Sequence, residues 1–217
     1  MPLINSPIRV VLADDHEMVR EALARILEES GRITIVAQAS DGAQTLDAVR
    51  TLQPEVLVLD YSMPTQDAPQ LIERLLRQAP DLRILVLTVH ENIHYAVRVL
   101  ESGAHGYIIK SAAVDELVAG IDTVRQGQIY ISPRVSQEVL HHLRRPKRER
   151  VGLESLSQRE FDFLRLLGAG KTLQQCAKQM KISTSTASTY RSRIMDKLNL
   201  GSTAELIRFA LEQGVVG

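Results

Sequence analysis

The stretch VLVLDYSMP, residues 56–64, sets four apolar residues directly in front of Asp60. Apolar runs without polar alternation are typical of strands that are buried on both faces. Four further runs rich in Val, Ile and Leu share this character, at residues 9–13, 33–37, 84–87 and 107–109. Helical patterns lie between the runs, and alternating strands and helices predict a parallel sheet with helices on both faces.

The composition is that of an ordinary globular protein. The 217 residues are 44% hydrophobic, and the longest apolar runs are far too short to span a bilayer. A single cysteine excludes an internal disulfide, and the start MPLINSPIRVVLADD has neither the basic region nor the cleavage site of a secretion signal. We therefore expect a cytoplasmic protein that has no membrane partner.

The net charge of zero hides a division along the chain. Residues 1–133 carry 11 Lys and Arg against 18 Asp and Glu, whereas residues 134–150 carry 6 against 2 and residues 151–217 carry 9 against 6. An acidic front and a basic back predict two domains with different partners. The basic back is compatible with nucleic-acid binding and equally with an ordinary solvated surface.

Polar residues follow directly on four of the predicted strands. They are Asp14 and Asp15 after strand one, Asp60 after strand three, Thr88 after strand four and Lys110 after strand five. Because the carboxyl ends of parallel strands share one edge of a sheet, these side chains are expected on one rim. Three gathered carboxylates favour a hard divalent cation, best Mg²⁺. A carboxylate beside a metal, a lysine and a hydroxyl can accept a phosphoryl group.

Four motifs resemble those of response-regulator receiver domains, over residues 7–127; they are ADDH (13–16), LDYSMP (59–64), LTVH (87–90) and GAHGYIIK (103–110). The resemblance implies that a sensor histidine kinase phosphorylates Asp60. It also implies an Mg²⁺ site whose ligands are Asp14, Asp15, Asp60 and the main-chain carbonyl of Ser62.

The same resemblance implies that Lys110 contacts the phosphoryl group, that Thr88 moves toward it, and that Tyr107 turns inward as Thr88 moves. From the residues alone, a half-buried aromatic on an edge strand is an equally good interpretation of Tyr107. His16 is expected to serve as a packing or capping residue.

Two features bear on the lifetime of a phosphoryl group. Receivers usually have Gly-x-Asp-Gly after the Met-Pro pair, whereas this chain has Thr65, Gln66, Asp67 and Ala68, which predicts altered phosphorylation kinetics. Haloacid-dehalogenase-like phosphatases carry a general-acid Asp at the position of Ser62. Its absence predicts a stored phosphoryl group, and hence a protein that is not a turnover enzyme.

Residues 128–152 are predicted to form a linker with a short helix that begins at Ser132-Pro133. The run RRPKRER at 144–150 is then either a solvated tether or a contact to DNA phosphates. Residues 153–217 are predicted to form four helices, the first of which opens on a capping box from Ser157 to Glu160. Two short helices around a tight turn indicate a helix-turn-helix.

The stretch LSQREFDFLRLLGAGKTLQQCAKQMKISTSTASTYRSRIMDKLNLGSTAELIRFAL resembles the LuxR-type DNA-binding domain and covers about residues 153–213. A receiver followed by this domain is the NarL/FixJ-like architecture, and YISP and TYRSRI are also similar to its GacA branch. The expected fold is therefore a five-stranded, doubly wound, flavodoxin-like parallel sheet followed by an all-α four-helix domain.

The third helix of this domain would read DNA with one side. Its base-facing candidates are Ser188, Thr189 and Ser192, with Ser185 on the same exposed side. Its phosphate-contacting candidates are Arg191, Arg193 and Lys197. Family members often carry Lys where this chain has Ser185 and Ser188, so we expect a shallower salt dependence of DNA binding.

Two hypotheses about function follow. In the first, the chain is a two-component transcription regulator that forms a homodimer on double-stranded DNA when it is phosphorylated. In the second, the receiver controls a helical domain that binds a partner protein and not DNA, which would account for the missing lysines.

Overall fold

A computed structural model describes residues 6–63, 67–89, 91–111, 114–144 and 151–216, without the side chains of 142–144. The chain divides into two compact units, Met1–Leu140 and His141–Gly217. The predicted boundaries at 127 and 153 stay predictions, and the basic run at 145–150 lies outside the described residues. Among the helices described, none has the length and apolar character needed to cross a membrane.

The first unit alternates strands and helices in chain order. Its elements are β1 (Ile8–Ala13), α1 (Glu17–Glu29), β2 (Ile33–Ala39), α2 (Gly42–Leu52), β3 (Val56–Asp60), α3 (Ala68–Gln78), β4 (Arg83–Thr88), α4 (Ile93–Glu101), β5 (Gly106–Ile109), α5 (Val114–Arg125), β6 (Tyr130–Ile131) and α6 (Pro133–Arg144). The strands form one parallel sheet in the order β2-β1-β3-β4-β5-β6. This confirms the predicted flavodoxin-like fold class and places all five residues of β3 in the core.

The sheet has a sixth strand that the sequence did not predict. β6 contains only two residues and pairs with β5 through Gly106↔Tyr130 and Tyr107↔Ile131. Two residues are too few to produce a recognisable strand pattern. Gly106 permits the close approach, because a Cβ there would lie 2.9 Å from the carbonyl oxygen of Tyr130. Since β5 is an inner strand and the side chain of Tyr107 is fully buried, the half-buried edge interpretation of Tyr107 is wrong.

The second unit is built from helices. They are a 3₁₀ turn (Gly152–Ser155), α7 (Gln158–Gly168), α8 (Leu173–Gln179), α9 (Thr184–Leu198) and α10 (Thr203–Glu212). The predicted capping box of Ser157 and Glu160 is present at the start of α7, and a second box opens α8. α9 buries Ala187 and Ile194 against the domain, which leaves its opposite side exposed.

Candidate functional site

The predicted rim exists at the carboxyl ends of the central strands. Asp60 and Thr88 are the last residues of β3 and β4, while Asp14 and Lys110 directly follow β1 and β5. The side chains of Asp14, Asp60 and Thr88 are buried. Strand pairing therefore fixes the positions of these groups, since Asp60 is opposite Leu87 and its neighbouring strand ends one residue later.

Lys110 is shared by two carboxylates. Its Nζ lies 2.7 Å from Oδ2 of Asp14 and 3.2 Å from Oδ2 of Asp60. The backbone N–H of Ser62 also acts on the Asp60 carboxylate, whose pKa it lowers. These contacts bring together residues that are up to 96 positions apart in the chain. The carboxylate of Asp60 therefore lies among polar groups, at the end of a strand that is otherwise apolar.

The pKa shifts of this pair reflect burial and mutual charge. Burial raises the pKa of Asp60 above its usual value and Asp14 raises it further, while the charge of Lys110 opposes both. Burial alone would lower the pKa of Lys110, but its hydrogen bond to Asp14 and the charge of Asp60 hold that pKa above its usual value. Lys110 is therefore a permanent cation at neutral pH.

The donor set fits a hard divalent cation. Asp14, Asp15, His16 and Asp60 each offer a ligand atom, and these atoms lie within 4.8 Å of one another. Three carboxylates and the Lys110 ammonium leave two negative charges in excess. Carboxylate oxygen is the ligand type that Mg²⁺ and Ca²⁺ prefer, so the residues present fit the magnesium that the sequence predicted.

His16 contributes to this set in a way that the sequence did not indicate. It occupies the N-cap position of α1, but its side chain makes no capping hydrogen bond. Its Nδ1 instead lies 2.9 Å from Oδ1 of Asp15 and 3.4 Å from Oδ1 of Asp14. His16 is therefore the capping residue of α1, as one of the two expected roles has it, although its side chain takes no part in the cap; its exposed ring contradicts the packing role. Only the adjacent pair of carboxylates could have signalled its actual contacts.

Thr88 and Tyr107 are in direct contact beside the rim. Their side chains share a hydrogen bond, and burial raises the pKa of the Tyr107 phenol well above its usual range despite that bond. Tyr107 faces inward in this structure and is fully buried. The ring of Tyr95 on α4 packs edge-on against Tyr61, the residue after Asp60, with 4.9 Å between ring centroids. Sequence reasoning missed both of these tyrosines, because lone aromatics in apolar surroundings are ordinary core residues.

The loop that departs from the receiver pattern is described in part. Thr65 and Gln66 lie outside the described residues. Asp67 is the N-cap of α3, and Ala68, its first residue, is buried. Ser62 is exposed at the start of this loop.

The predicted DNA-contacting residues lie on α9, at different depths. Ser185, Thr189 and Ser192 are exposed and follow each other at spacings of four and three residues, which puts them on one side of the helix. Arg193 is also exposed, whereas Ser188 and Arg191 are only partly so. The hydroxyl of Thr189 donates to the backbone carbonyl of Ser185, which leaves its oxygen able to accept a hydrogen bond.

Lys197 has a structural partner within its own domain. Its Nζ lies 2.7 Å from Oε2 of Glu160 and 3.1 Å from the carbonyl oxygen of Ser155. Burial alone would raise the pKa of Glu160, but its hydrogen bonds with Lys197 and Ser157 hold that pKa below its usual value. Lys197 thus joins α9 to α7, a contact that the helical pattern did not indicate.

Comparisons with known proteins agree with both halves of the chain. Residues 10–122 match the family described as response regulator receiver domain, and residues 154–210 match that described as bacterial regulatory proteins, luxR family. The chain is 34% identical over 209 residues to response regulator GacA of Pseudomonas aeruginosa, which covers 96% of this chain and 98% of that protein. It is 33% identical over 208 residues to response regulator UvrY of Escherichia coli, covering 96% and 95%.

A solved structure agrees over nearly the same length. RcsB from Salmonella enterica serovar Typhimurium, bound to promoter rprA in the presence of the phosphomimetic BeF₃⁻, is 26% identical, with a TM-score of 0.72 and coverage of 94% of this chain and 98% of that one. The chain therefore belongs to the two-component response regulators of the NarL/FixJ type, DNA-binding transcription regulators in which a receiver domain precedes a LuxR-type helix-turn-helix domain.

Proposed function

We propose that Asp60 accepts a phosphoryl group from the phosphohistidine of a sensor kinase. The observation that carries this proposal is the cluster of Asp14, Asp15 and Asp60 at the carboxyl edge of the sheet, in which the Lys110 ammonium contacts Asp14 and Asp60. A carboxylate oxygen of Asp60 attacks phosphorus, and the phosphorus–nitrogen bond to the kinase histidine breaks. Lys110 contacts the transferred oxygens and balances their charge.

Mg²⁺ would be held by Asp14, Asp15, Asp60 and the main-chain carbonyl of Ser62, and would supply further neutralisation of phosphoryl charge when bound. Asp60 must be ionised to act as nucleophile. Lys110 serves this requirement, because it opposes the rise in the pKa of Asp60 that burial and Asp14 produce. The chain itself changes state once per phosphoryl group and is not a turnover enzyme, since Ser62 offers no general-acid carboxylate.

Thr88 and Tyr107 would pass the change on. The Thr88 hydroxyl shares a hydrogen bond with the Tyr107 phenol, so a Thr88 hydroxyl that turns toward a phosphoryl group must give up this partner. Both groups are fully buried, and a lost hydrogen bond there costs about 1–3 kcal/mol. That cost is large enough to bias a two-state surface and to favour a homodimer.

The helix-turn-helix domain would read DNA through the exposed side of α9. The exposure of Ser185, Thr189 and Ser192 favours these three as the base-facing residues. Their hydroxyls can hydrogen-bond base edges, and the methyl group of Thr189 can contact a thymine methyl. Ser188 is partly covered and would contribute less. Arg193 and Arg191 would contact phosphates, whereas Lys197 would do so weakly, because Glu160 holds it.

A selection from random duplexes tests this function. The full chain is incubated with Mg²⁺ and a small phosphodonor, or without the donor, and bound duplexes are enriched over several rounds. We expect one motif to emerge, with stronger enrichment for the phosphorylated protein. The serines at positions 185 and 188, where family members often carry Lys, favour a second candidate, a helical domain that binds a partner protein. Absence of any motif in both states would select that candidate.

A further inference from the structure

His16 covers the metal-binding carboxylates from the solvent side. Its ring is 65% exposed, whereas the side chain of Asp15 is 25% exposed and that of Asp14 is 1% exposed. Its backbone N–H donates to Oδ1 of Asp14 at 2.9 Å. The ring Nδ1 lies 2.9 Å from Oδ1 of Asp15, so the imidazole packs directly against that carboxylate.

Adjacent carboxylates repel one another and have to be held for a cation to use both. Asp14 is fixed by the backbone bond from His16, by Lys110, and by the Arg20 side chain, which donates to the main-chain carbonyl of Asp14 at 2.6 Å. Within the described residues, the side chain of Asp15 is in contact with the His16 ring. Groups that hold a ligand in this way tune metal affinity as strongly as many ligands do.

We propose that His16 is a positioning residue for the metal site: its imidazole, 2.9 Å from the Asp15 carboxylate, keeps that carboxylate beside Asp14 in the arrangement that binds a divalent cation. This inference rests on the proposed function only for the identity of the site. His16 touches no phosphoryl group and takes no part in the transfer. Its contribution is to metal affinity, which can be measured on the unphosphorylated protein.

The test is Mg²⁺ binding to the full chain by isothermal titration calorimetry, with no phosphodonor. For His16→Ala we expect Mg²⁺ affinity to fall about tenfold, the usual loss when the partner of a metal ligand is removed. His16→Asn keeps a side-chain donor and should recover much of this loss. Met18→Ala, at an 85% exposed position on α1, is the matched control and should bind like the unaltered chain.

Three results would overturn the assignment. Equal Mg²⁺ affinity of His16→Ala and the unaltered chain would do so, as would tighter binding. A larger loss for Mn²⁺ than for Mg²⁺ would also do so, because it would make the imidazole a direct ligand. Thermal unfolding without Mg²⁺ should be the same for all variants, so that a loss of affinity cannot be a loss of folding. Asp15→Asn separates the two claims, since unchanged Mg²⁺ binding in that variant would instead refute the metal site itself.

A separate observation concerns the segment that leaves the sheet through β6. The backbone N–H of Ser132 donates to the carbonyl of Tyr107 at 2.9 Å, and its buried hydroxyl donates to Glu116 on α5. On the first turn of α6, Arg134 donates to Glu91 at 3.0 Å and to Ser111 at 3.4 Å. The segment therefore touches the strand of Tyr107, the loop after Thr88 and the residue after Lys110.

We infer that residues 130–134 form a latch between the rim and α6, and that phosphorylation of Asp60 opens it. This rests on the proposed function, since the latch responds to the switch of Thr88 and Tyr107. A shift of either residue alters the partners of Ser132 or Arg134, and the effect passes to α6, whose Val135 and Val139 are buried. Opening of the latch would thus loosen residues 130–134 and the start of α6, at the end of the first unit.

Hydrogen exchange of the full chain with Mg²⁺, with and without a small phosphodonor, tests the latch. Peptides from residues 130–139 should exchange about threefold faster after phosphorylation, as expected for the exposure of one hydrogen bond. The doubly substituted Ser132→Ala, Arg134→Ala chain should exchange fast in both states. Arg50→Ala, which removes an exposed ion pair with Asp47 on α2, should respond like the unaltered chain. Unchanged exchange in a chain whose intact mass shows one added phosphoryl group would refute the latch alone; no added group would refute the proposed function as well.

Discussion

The rim of the receiver and the recognition helix α9 each contain a lysine that the sequence assigned to phosphate. Both lysines donate to a carboxylate at 2.7 Å, Lys110 to Asp14 and Lys197 to Glu160. They differ in the charge that surrounds them. Lys110 contacts two of the three clustered carboxylates, and the cluster keeps two negative charges in excess. Lys197 contacts one carboxylate and one carbonyl, and the carboxylate neutralises its charge.

This difference separates a functional cation from a structural one. A cluster with excess negative charge favours a divalent cation, in keeping with the proposed magnesium site. A neutralised pair has no such need, and removing one of its partners leaves a buried charge uncompensated. Each lysine has a carboxylate partner at the same distance, so the number of carboxylates distinguishes the two cases. The predictions below are ordered from the largest expected effect to the smallest.

Lys110→Met should reduce phosphoryl transfer to Asp60 at least about 100-fold, the typical cost of losing one donor to a transition-state oxyanion. The same change should tighten Mg²⁺ binding, because it removes the cation that competes for Asp14 and Asp60. Labelling rate and calorimetric affinity are measured on one preparation. Weaker Mg²⁺ binding in the variant would contradict the charge count of the rim.

Lys197→Met should lower the stability of the second unit by about 1–2 kcal/mol, because it leaves the buried Glu160 without its cation. The expected loss is modest since the Lys197 side chain is 39% exposed and water screens the pair. Amide exchange of α7 measures this loss. Combining Lys197→Met with Glu160→Gln should restore part of it, and a purely additive double variant would argue against the pair.

The Glu160 pair should also make stability depend on pH. A lowered pKa in the folded state stabilises the protein above the usual pKa of Glu, and this contribution disappears as pH falls through the lowered value. Glu160→Gln removes the contribution, so its deficit in urea unfolding should be largest at pH 7 and should shrink toward pH 3. An equal deficit at both pH values would show that the carboxylate charge is irrelevant.

Arg193→Met should reduce the salt dependence of DNA binding by about one unit of slope, the effect of one lost phosphate contact. Lys197→Met should leave the slope unchanged, because Glu160 already holds that ammonium. Binding to a random-sequence duplex at several salt concentrations measures both. A slope that falls with Lys197→Met but not with Arg193→Met would reverse the assignment of the two cations.

Much of the receiver could be predicted from the sequence, for a physical reason. A buried parallel strand has to be apolar, so a charge at its end is conspicuous, and the topology itself brings Asp14, Asp60, Thr88 and Lys110 together. The sequence could not show the contact of His16 with Asp15, nor the two-residue strand β6, because neither depends on a periodic pattern. On α9, packing does not constrain the residues of the exposed side, so the sequence could not show which of the candidate DNA-contacting side chains are exposed.

One apolar pattern was misleading even within the receiver. The apolar spacing of α1 places Met18 and Ala22 on the same side as Ile26, yet Met18 is 85% exposed and the helix buries Ala24 and Leu27. The buried side is set by how α1 packs on the sheet, which rotates the helix relative to the apparent stripe. The exposure of Met18 could not be inferred from the apolar spacing of α1 alone.

The central claim is that Asp60 is the phosphoryl acceptor, and phosphorylation of the Asp60→Asn variant tests it most directly. The unaltered chain, Asp60→Asn and the control Asp47→Asn, at an exposed position on α2, are incubated with Mg²⁺ and a small phosphodonor, and intact masses are recorded. The account predicts one added phosphoryl group on the unaltered chain and on Asp47→Asn, and none on Asp60→Asn. A phosphoryl group retained by Asp60→Asn would contradict the assignment of Asp60 as the acceptor.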